Sequence, residues 1–309
     1  MASQHDARTA TRAEVPDARL AASYEYCRVL HRTYGRTYYL ATRLLPRWKR
    51  RHVHALYGFT RYTDELVDAL DGTPVPDRVA RLAAWRAKFA AALAGLPVDD
   101  PALPAVVHTI RLFGLDRADF AAFLRSMEMD LTVTEYPTYD DLLDYMEGSA
   151  AAIGTMMLPI LGTSDPAAAH EPARQLGFAF QFTNFIRDVG EDLDRGRIYL
   201  PRKDLADAGV TPEDLRARQF TAPIRELIAA EVARARVHYA FAAPGIPLLA
   251  PGSQACIRTA YRLYAGILDE VERNGYDVFT RRATVPDRHR LAIAVTSLLT
   301  RPGRPVKGA

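Results

Sequence analysis

An almost unbroken helical pattern runs through this sequence. Between residues 19 and 299, apolar side chains recur at spacings of three and four residues, and the strong helix formers Ala, Leu and Arg dominate. Alternating β-branched residues between turn dipeptides, which are typical of strands, are missing. The Pro- and Gly-containing breaks, such as residues 72–76 and 162–172, are too short to separate domains. The sequence therefore predicts one all-α domain of many helices.

The two ends of the chain lack this pattern. Because they are polar and aperiodic, we expect a disordered amino-terminal tail at residues 1–18 and a flexible carboxy-terminal tail at 300–309, around a domain at 19–299. The first residues contain no apolar run like that of a signal peptide, and no stretch approaches the ~18 apolar residues of a membrane span. We therefore expect a cytoplasmic protein that at most lies peripherally on the inner face of the cell membrane.

Composition and charge exclude several classes of function. The net charge is +3 and acids and bases are mixed along the chain, so the sequence contains no nucleic-acid-binding patch. The two cysteines, Cys27 and Cys256, lie far apart and outside any metal-ligand spacing, which predicts free thiols. Hydrophobic residues make up 49% of the chain, which is enough for a sizeable core.

The first acidic motif is Asp64-Glu-Leu-Val-Asp68. Its two aspartates are four residues apart and share one helical face, where bare carboxylates repel each other. Hard oxygen ligands at this spacing suit Mg²⁺, which binds one or two carboxylates together with phosphate oxygens of a substrate. Arg61 lies on nearly the same face, in position to meet a diphosphate oxygen. Taken alone, this motif is more often an ordinary solvated charged face.

The second motif places Gln181, Asn184, Asp188 and Asp192 at spacings of three and four residues. One helix would carry them as a column of two amides and two carboxylates. Phenylalanines surround the column, and a buried charge must be paired or bind a metal. Gly190 in this helix predicts a close approach by another group. The alternative for this motif alone is a structural ion-pair helix.

Two acidic stripes in one all-α chain could face each other across a cavity and hold Mg²⁺ against a substrate diphosphate. This arrangement suits ionisation of an allylic diphosphate, in which metal ions stabilise the leaving pyrophosphate. The carbocation left behind requires an apolar cavity closed to water. The small residues from Gly148 to Gly154 predict close helix packing.

These motifs together resemble the squalene/phytoene synthase family over nearly all of residues 20–285. The matching stretches are GRTYYLATRLLP (35–46), YGFTRYTDELVD (57–68), YMEGSAAAIGTMMLPILG (145–162), QFTNFIRDVGEDLDRGRIYLP (181–201) and RLYAGILDEVERNGYDVFTRR (262–282). The joined NxxRDxxED and DRGRIYLP pattern is most similar to bacterial phytoene synthases. The resemblance implies a single-domain isoprenoid synthase (class I prenyltransferase) fold with a central cavity between helices. For the small residues from Gly148 to Gly154 it implies a tunnel wall with room for prenyl chains, which does not exclude close helix packing.

The resemblance also implies roles for individual residues. Magnesium binding is implied for Asp64, Asp68, Asn184, Asp188 and Asp192. Diphosphate binding is implied for Arg36, Arg61, Tyr264 and Arg281. A catalytic set is implied at Tyr38, Tyr145, Gln181 and Tyr199, which line the cavity near the reacting carbons, and at Arg187, which braces the metal site. The sequence departs from the family at Thr37-Tyr38, typically Ser-Phe, and at Ser149-Ala150, typically Val-Ala, which changes the cavity wall.

The implied activity is a head-to-head condensation of two geranylgeranyl diphosphates to 15-cis-phytoene through prephytoene diphosphate, the first committed step of carotenoid biosynthesis. The implied cofactor is Mg²⁺, with Mn²⁺ as a substitute and without NAD(P)H. The implied partners are small prenyl diphosphates and not nucleic acid. Peripheral contact with a membrane, or handover of the product to a phytoene desaturase, is compatible with this activity.

Three alternatives stay open on the sequence. The first is a farnesyl-diphosphate-using relative that makes dehydrosqualene, presqualene diphosphate or hydroxysqualene, which differs in cavity depth. The second is a class I terpene cyclase, which the DRGRIYLP match disfavours. The third is a non-catalytic helical relative, which would be expected to have lost the metal-binding aspartates that this chain retains.

Overall fold

The computed structural model describes residues 17–68 and 72–304, and this part of the chain is helical without a β-strand. The predicted all-α class is therefore confirmed. The predicted tails fall largely outside the described residues, at positions 1–16 and 305–309, so the predicted domain limits stay predictions. None of the described helices is long and apolar enough to cross a membrane.

Fifteen α-helices follow one another within these residues. In chain order they are α1 (Ala18–Tyr34), α2 (Arg36–Thr42), α3 (Arg47–Val67), α4 (Val75–Leu93), α5 (Leu103–Phe113), α6 (Arg117–Met129), α7 (Tyr139–Met146), α8 (Ala152–Leu161), α9 (Pro166–Arg187), α10 (Val189–Asp194), α11 (Arg202–Asp207), α12 (Pro212–Ala217), α13 (Ala222–Ala242), α14 (Pro251–Arg273) and α15 (Asp287–Leu299). A π-helical turn, Glu147–Ala151, joins α7 to α8, and a 3-10 helix, Ala243–Leu248, joins α13 to α14.

Local chemistry fixes where several helices begin. The Thr138 hydroxyl accepts a hydrogen bond from the backbone N–H of Asp141, whose carboxylate accepts one from the N–H of Thr138 in return. This reciprocal capping box satisfies two N–H groups that the first turn of α7 would otherwise leave unpaired. The same device, made by Thr211 and Asp214, starts α12, where Pro212 occupies the first helical position.

The two largest apolar cores of the described residues leave a cavity between them. One core is centred on α3 to α6 and α8, and the other on α9, α13 and α14. Helix α9 packs against α8, α13 and α14, so it lies between the two cores. Its approach to the π-helical turn requires glycine, because a Cβ at Gly177 would lie 2.8 Å from the carbonyl carbon of Ala150. This packing sets one wall of the cavity.

Candidate active site

The cavity between the two cores has a volume of about 430 Å³. This size is within the range of small-molecule sites in proteins. Most of its wall is apolar, with small side chains from the π-helical turn, α8 and α9. Ser149, Ala150 and Gly154 line it, whereas a Cβ at Gly148 would collide with α6. Both predictions for the small-residue segment therefore apply, and Gly154 meets both, because a Cβ there would also lie 2.9 Å from the carbonyl carbon of Ala173.

Six of the predicted site residues line this cavity, and they come from four helices. They are Tyr38 from α2, Arg61 and Asp64 from α3, Tyr145 from α7, and Gln181 and Asn184 from α9. Asp64 belongs to the first acidic motif and Asn184 to the second. The two motifs therefore meet at one cavity, as their spacing on separate helices predicted.

Helix α3 carries Asp64 into the cavity wall. The Asp64 carboxylate accepts a hydrogen bond of 3.0 Å from Arg61, whose guanidinium also lies over the ring of Tyr34. Burial, together with the charge of Asp68, raises the pKa of Asp64 above its usual range. A second cation near Asp64 would therefore be favourable.

Asp68 lies at the C-cap of α3, one residue beyond the end of the helix. Its carboxylate accepts a 2.7 Å hydrogen bond from Arg197, which is 8% exposed and lies between α10 and α11. The carboxy-terminal end of a helix carries partial negative charge, so it favours cations and opposes a bare carboxylate. Both the charge of the Asp68 carboxylate and its position at the end of the helix therefore favour a cation here.

The second motif is not one continuous helix as predicted. Helix α9 ends at Arg187, and Asp188 (φ −103°, ψ 15°) is the junction from which α10 begins at Val189. The backbone N–H of Asp188 still donates to Asn184 O, and that of Asp192 to Asp188 O, both at 2.8 Å. The four-residue spacing of the column therefore survives the break, and Asp188, like Asp68, lies at the end of a helix.

Two arginines neutralise Asp188. Its Oδ1 accepts hydrogen bonds of 2.7 Å from Arg187 and 2.8 Å from Arg282. Burial opposes ionisation, but these two hydrogen bonds outweigh it and lower the pKa of Asp188. Among the described residues, the Asp192 carboxylate pairs only with Arg195, at 3.5 Å, and burial and the charge of Asp188 raise the pKa of Asp192 to about 8. The predicted close approach at Gly190 is wrong, since a Cβ there would meet no heavy atom nearer than 3.9 Å.

The donors at the cavity fit a divalent cation that also binds phosphate. The charge of Asp68 raises the pKa of Asp64, and that of Asp188 raises the pKa of Asp192. In the part of the chain that the structure describes, the buried amide oxygen of Asn184 has no hydrogen-bond partner. Over the described ranges, no three His, Cys, Asp or Glu side chains are close enough to form a metal site by themselves. Mg²⁺ suits such an incomplete set, because it takes one or two carboxylates and completes its shell with water and substrate phosphate oxygens.

Tyr145 and Tyr199 share an acceptor that the sequence analysis missed. Asp130, which follows α6, accepts hydrogen bonds of 2.8 Å from the Tyr145 hydroxyl and 3.2 Å from the Tyr199 hydroxyl. Arg197 donates to the backbone oxygen of Asp130 at 2.9 Å and so connects it to Asp68. Burial raises the pKa of both tyrosines, so they remain protonated donors.

The sequence identifies Arg197 more readily than Asp130. Arg197 lies within the DRGRIYLP stretch that carried the resemblance, so that stretch could have identified it. Asp130 belongs to no spaced motif, and it reaches the site only through tertiary packing. A single sequence therefore offers no signal for it.

The predicted diphosphate residues divide into three groups. Arg61 lines the cavity, whereas Tyr264 is buried outside its lining and stacks on Tyr38 with ring centroids 4.7 Å apart. Arg36 is exposed at the start of α2, and Arg281 is exposed and donates to Asn274. The neighbouring residue, Arg282, is the one that contacts the second motif. The roles of all four predicted residues stay predictions.

Comparisons with known proteins agree with this geometry. A profile of the squalene/phytoene synthase family matches residues 31–289. A phytoene synthase of Arthrospira platensis is 40% identical over 85% of this chain and 88% of its own length. A 15-cis-phytoene synthase of Synechococcus elongatus is 35% identical over 91% and 94%.

Solved structures add a comparison of the fold. A ligand-bound dehydrosqualene synthase superposes with a TM-score of 0.82 at 27% identity, covering 90% of this chain and 96% of its own. A squalene synthase from Alicyclobacillus acidocaldarius gives 0.76 at 30% identity, with 85% and 97% covered. The predicted isoprenoid synthase fold is confirmed by these neighbours.

Proposed function

Because the chain belongs to the squalene/phytoene synthase family, we propose that it is a prenyltransferase that condenses two geranylgeranyl diphosphates head to head to 15-cis-phytoene. The observation that carries this proposal is the meeting of Asp64 and Asn184, one from each acidic motif, at a single apolar cavity. Relatives that are 35% and 40% identical over most of the chain are phytoene synthases, which supports the substrate.

The diphosphate of the substrate belongs beside Arg61, Asp64 and Asn184, which are polar residues of the cavity wall. The residues that would hold Mg²⁺, or Mn²⁺ in its place, are Asp64, Asp68, Asn184, Asp188 and Asp192. The chemistry supplied by the bound metal is neutralisation of the leaving pyrophosphate.

The arginines next to these carboxylates have a second use in this proposal. Arg61 and Arg187 contact carboxylates now, and a diphosphate would offer them oxygens that suit the guanidinium fork better. We propose Arg36, Tyr264, Arg281 and Arg282 as further diphosphate contacts.

The hydrocarbon chains belong in the apolar remainder of the cavity. Each half of the reaction passes through an allylic or cyclopropylcarbinyl cation, which water would destroy. The faces of Tyr38 and Phe180, whose ring centroids are 5.8 Å apart, offer negative potential to such cations. Gln181 and the small residues beside them shape the space without adding charge. Each condensation releases two pyrophosphates and two protons.

Asp130 is proposed as a positioning residue. It holds the hydroxyls of Tyr145 and Tyr199, and through Arg197 it connects them to Asp68. Because the oxygens are fixed by hydrogen bonds, the rings need no reorganisation when the substrate binds. This network ties the orientation of the proposed catalytic tyrosines to the first acidic motif.

Product analysis tests the proposed activity. The purified chain would be incubated with Mg²⁺ and geranylgeranyl diphosphate, or with farnesyl diphosphate, with EDTA as a control, and organic extracts would be read by mass spectrometry. Phytoene that disappears with EDTA is the expected result. A product from farnesyl diphosphate alone would replace the substrate with that of the dehydrosqualene synthase type. No product from either would refute the activity.

Two matched variants test the metal residues. Asp64→Asn and Asp188→Asn keep the side-chain volume and remove the charge, so turnover should fall at least ~100-fold, because each removes charge stabilisation of the transition state. Asp207→Asn is the control, because Asp207 is exposed and pairs with Lys203 on the surface. Near-normal turnover in either site variant would remove these aspartates from the metal site.

The fate of the product is a further part of the proposal. A 40-carbon hydrocarbon cannot leave into water at a useful concentration, because each buried methylene contributes ~0.8 kcal/mol against transfer. We therefore propose that the product passes into a lipid phase or to a desaturase held close by.

A further inference from the structure

Helix α15 presents an apolar face to solvent. Leu291, Val295, Leu298 and Leu299 are between 46% (Val295) and 78% (Leu299) exposed. Their spacing of four, three and one residues places them on one side of the helix, which we call the α15 stripe. A single exposed leucine is ordinary, but three leucines and a valine on one face form a patch of the kind that marks an interaction surface.

The opposite side of α15 is anchored to the domain. Ala294 and Ser297 are buried. Arg262 of α14 donates to the Thr296 hydroxyl at 2.7 Å, and Arg258 donates to the backbone oxygen of Ser297 at 3.3 Å. The helix is therefore docked through its other face, and the α15 stripe is available to something outside the domain.

Positive charge surrounds the stripe at both ends. Between residues 287 and 309 the sequence contains five Lys and Arg residues and one acid, Asp287. Arg288 and Arg290 precede the stripe, and Arg301 and Arg304 follow it. An apolar face between clusters of cations is the pattern of helices that lie in the interface of an anionic membrane.

We propose that the α15 stripe lies on an anionic lipid surface, with the four leucine and valine side chains among the acyl chains and the flanking arginines at the phosphates. Residues 1–16 are an unsuitable cover for it, because Met1 and Val15 are their only large apolar residues. A second copy of the chain is disfavoured as well, since it would bring two sets of arginines together.

Flotation of the full chain with lipid vesicles tests this surface without any substrate, so its outcome is independent of the product formed. Vesicles of phosphatidylcholine alone would be compared with vesicles containing phosphatidylglycerol. We expect co-flotation with the anionic vesicles only, weakened in 1 M salt, where the screening length falls to about 3 Å. Absence of co-flotation, or equal binding to both vesicles, would overturn the proposal.

Variants separate the stripe from other exposed residues. Leu291→Ser with Leu298→Ser should weaken vesicle binding at least ~10-fold, because about half of the apolar area is lost. Val237→Ser with Phe241→Ser is the control, because these α13 residues are also exposed but the neighbouring Arg236 is paired with Asp269.

Two results from these variants would contradict the proposal. One is an equal loss of binding in the control variant. The other is a stable dimer in analytical ultracentrifugation that dissociates in the Leu291→Ser/Leu298→Ser variant, since it would assign the stripe to a second copy. Thermal melting by circular dichroism checks that both variants fold.

Discussion

Replacing Asp130 by Asn should stabilise the fold at alkaline pH and slow the reaction. Burial, opposed by Arg197 and by the hydrogen bond from Tyr145, raises the pKa of Asp130 to about 7 from its ordinary value of 3.8. Because the pKa of Asp130 is higher in the folded protein than in the unfolded chain, its contribution to the stability of the fold is fully present below pH 4 and is lost as the pH rises through 7. The difference between the two pKa values corresponds to a loss of about 4 kcal/mol in the free energy of unfolding once Asp130 is ionised in the folded protein.

The amide that replaces the Asp130 carboxyl in the Asp130→Asn variant would carry no charge at any pH. Relative to the unchanged chain, the variant loses one hydrogen bond at every pH, and its free energy of unfolding should therefore change between the two conditions: the difference from the unchanged chain should be about 3 kcal/mol more favourable at pH 9 than at pH 5. Urea unfolding in EDTA at both values measures this difference. A constant difference between pH 5 and pH 9 would show that Asp130 is not held neutral by burial, and the reasoning would fail.

The effect on activity has the opposite sign. An amide has a single oxygen acceptor, so the hydroxyl of Tyr145 or that of Tyr199 loses its partner. Above pH 7, where Asp130 is ionised, losing one hydrogen bond to this charged group costs about 1.5–3 kcal/mol, which predicts a fall in kcat of roughly 10- to 100-fold with KM little changed. The control is Asp100→Asn, because the buried Asp100 caps the start of α5 and should affect stability alone. An unchanged kcat in Asp130→Asn would refute the positioning role.

Three further predictions follow from other parts of the structure. Gly177→Ala should destabilise the fold by about 1–3 kcal/mol, because its Cβ would collide with the backbone of Ala150. Gly190→Ala should leave the free energy of unfolding unchanged or raise it by up to about 1 kcal/mol, and urea unfolding compares the two variants. Cys27 and Cys256 are buried, which raises the pKa of both thiols to about 12, so an aromatic disulfide reagent should react with them only after unfolding, and rapid reaction of the folded protein would contradict this. Mg²⁺ with inorganic diphosphate at ~100 times Kd should raise the Tm by about 5 °C in a calorimetric scan, and an equal rise in Asp188→Asn would exclude that aspartate from the site.

The extent to which the sequence predicts the site depends on how far apart the interacting residues lie along the chain. Asp64 and Asp68 are four residues apart at the end of α3, and Asn184 and Asp188 are four residues apart at the end of α9, so spacing alone identified both pairs. Their shared cavity was predicted only through the combination of two motifs. The break at Asp188 was missed because its backbone hydrogen bonds continue the four-residue spacing.

Contacts between distant segments account for the rest. Arg197 reaches Asp68 across 129 residues, and Arg282 reaches Asp188 across 94 residues. Such contacts depend on how the helices pack, and the periodicity of the sequence does not encode that packing. The resemblance implied a role for Arg281, whereas in the structure its neighbour Arg282 contacts the second motif. Asp68 and Asp188, the two aspartates at helix ends, are therefore each paired with an arginine from a loop that is distant in sequence. Asp68 and Asp188 are thus neutralised by the chain itself, and a metal diphosphate has to compete with these arginines to enter.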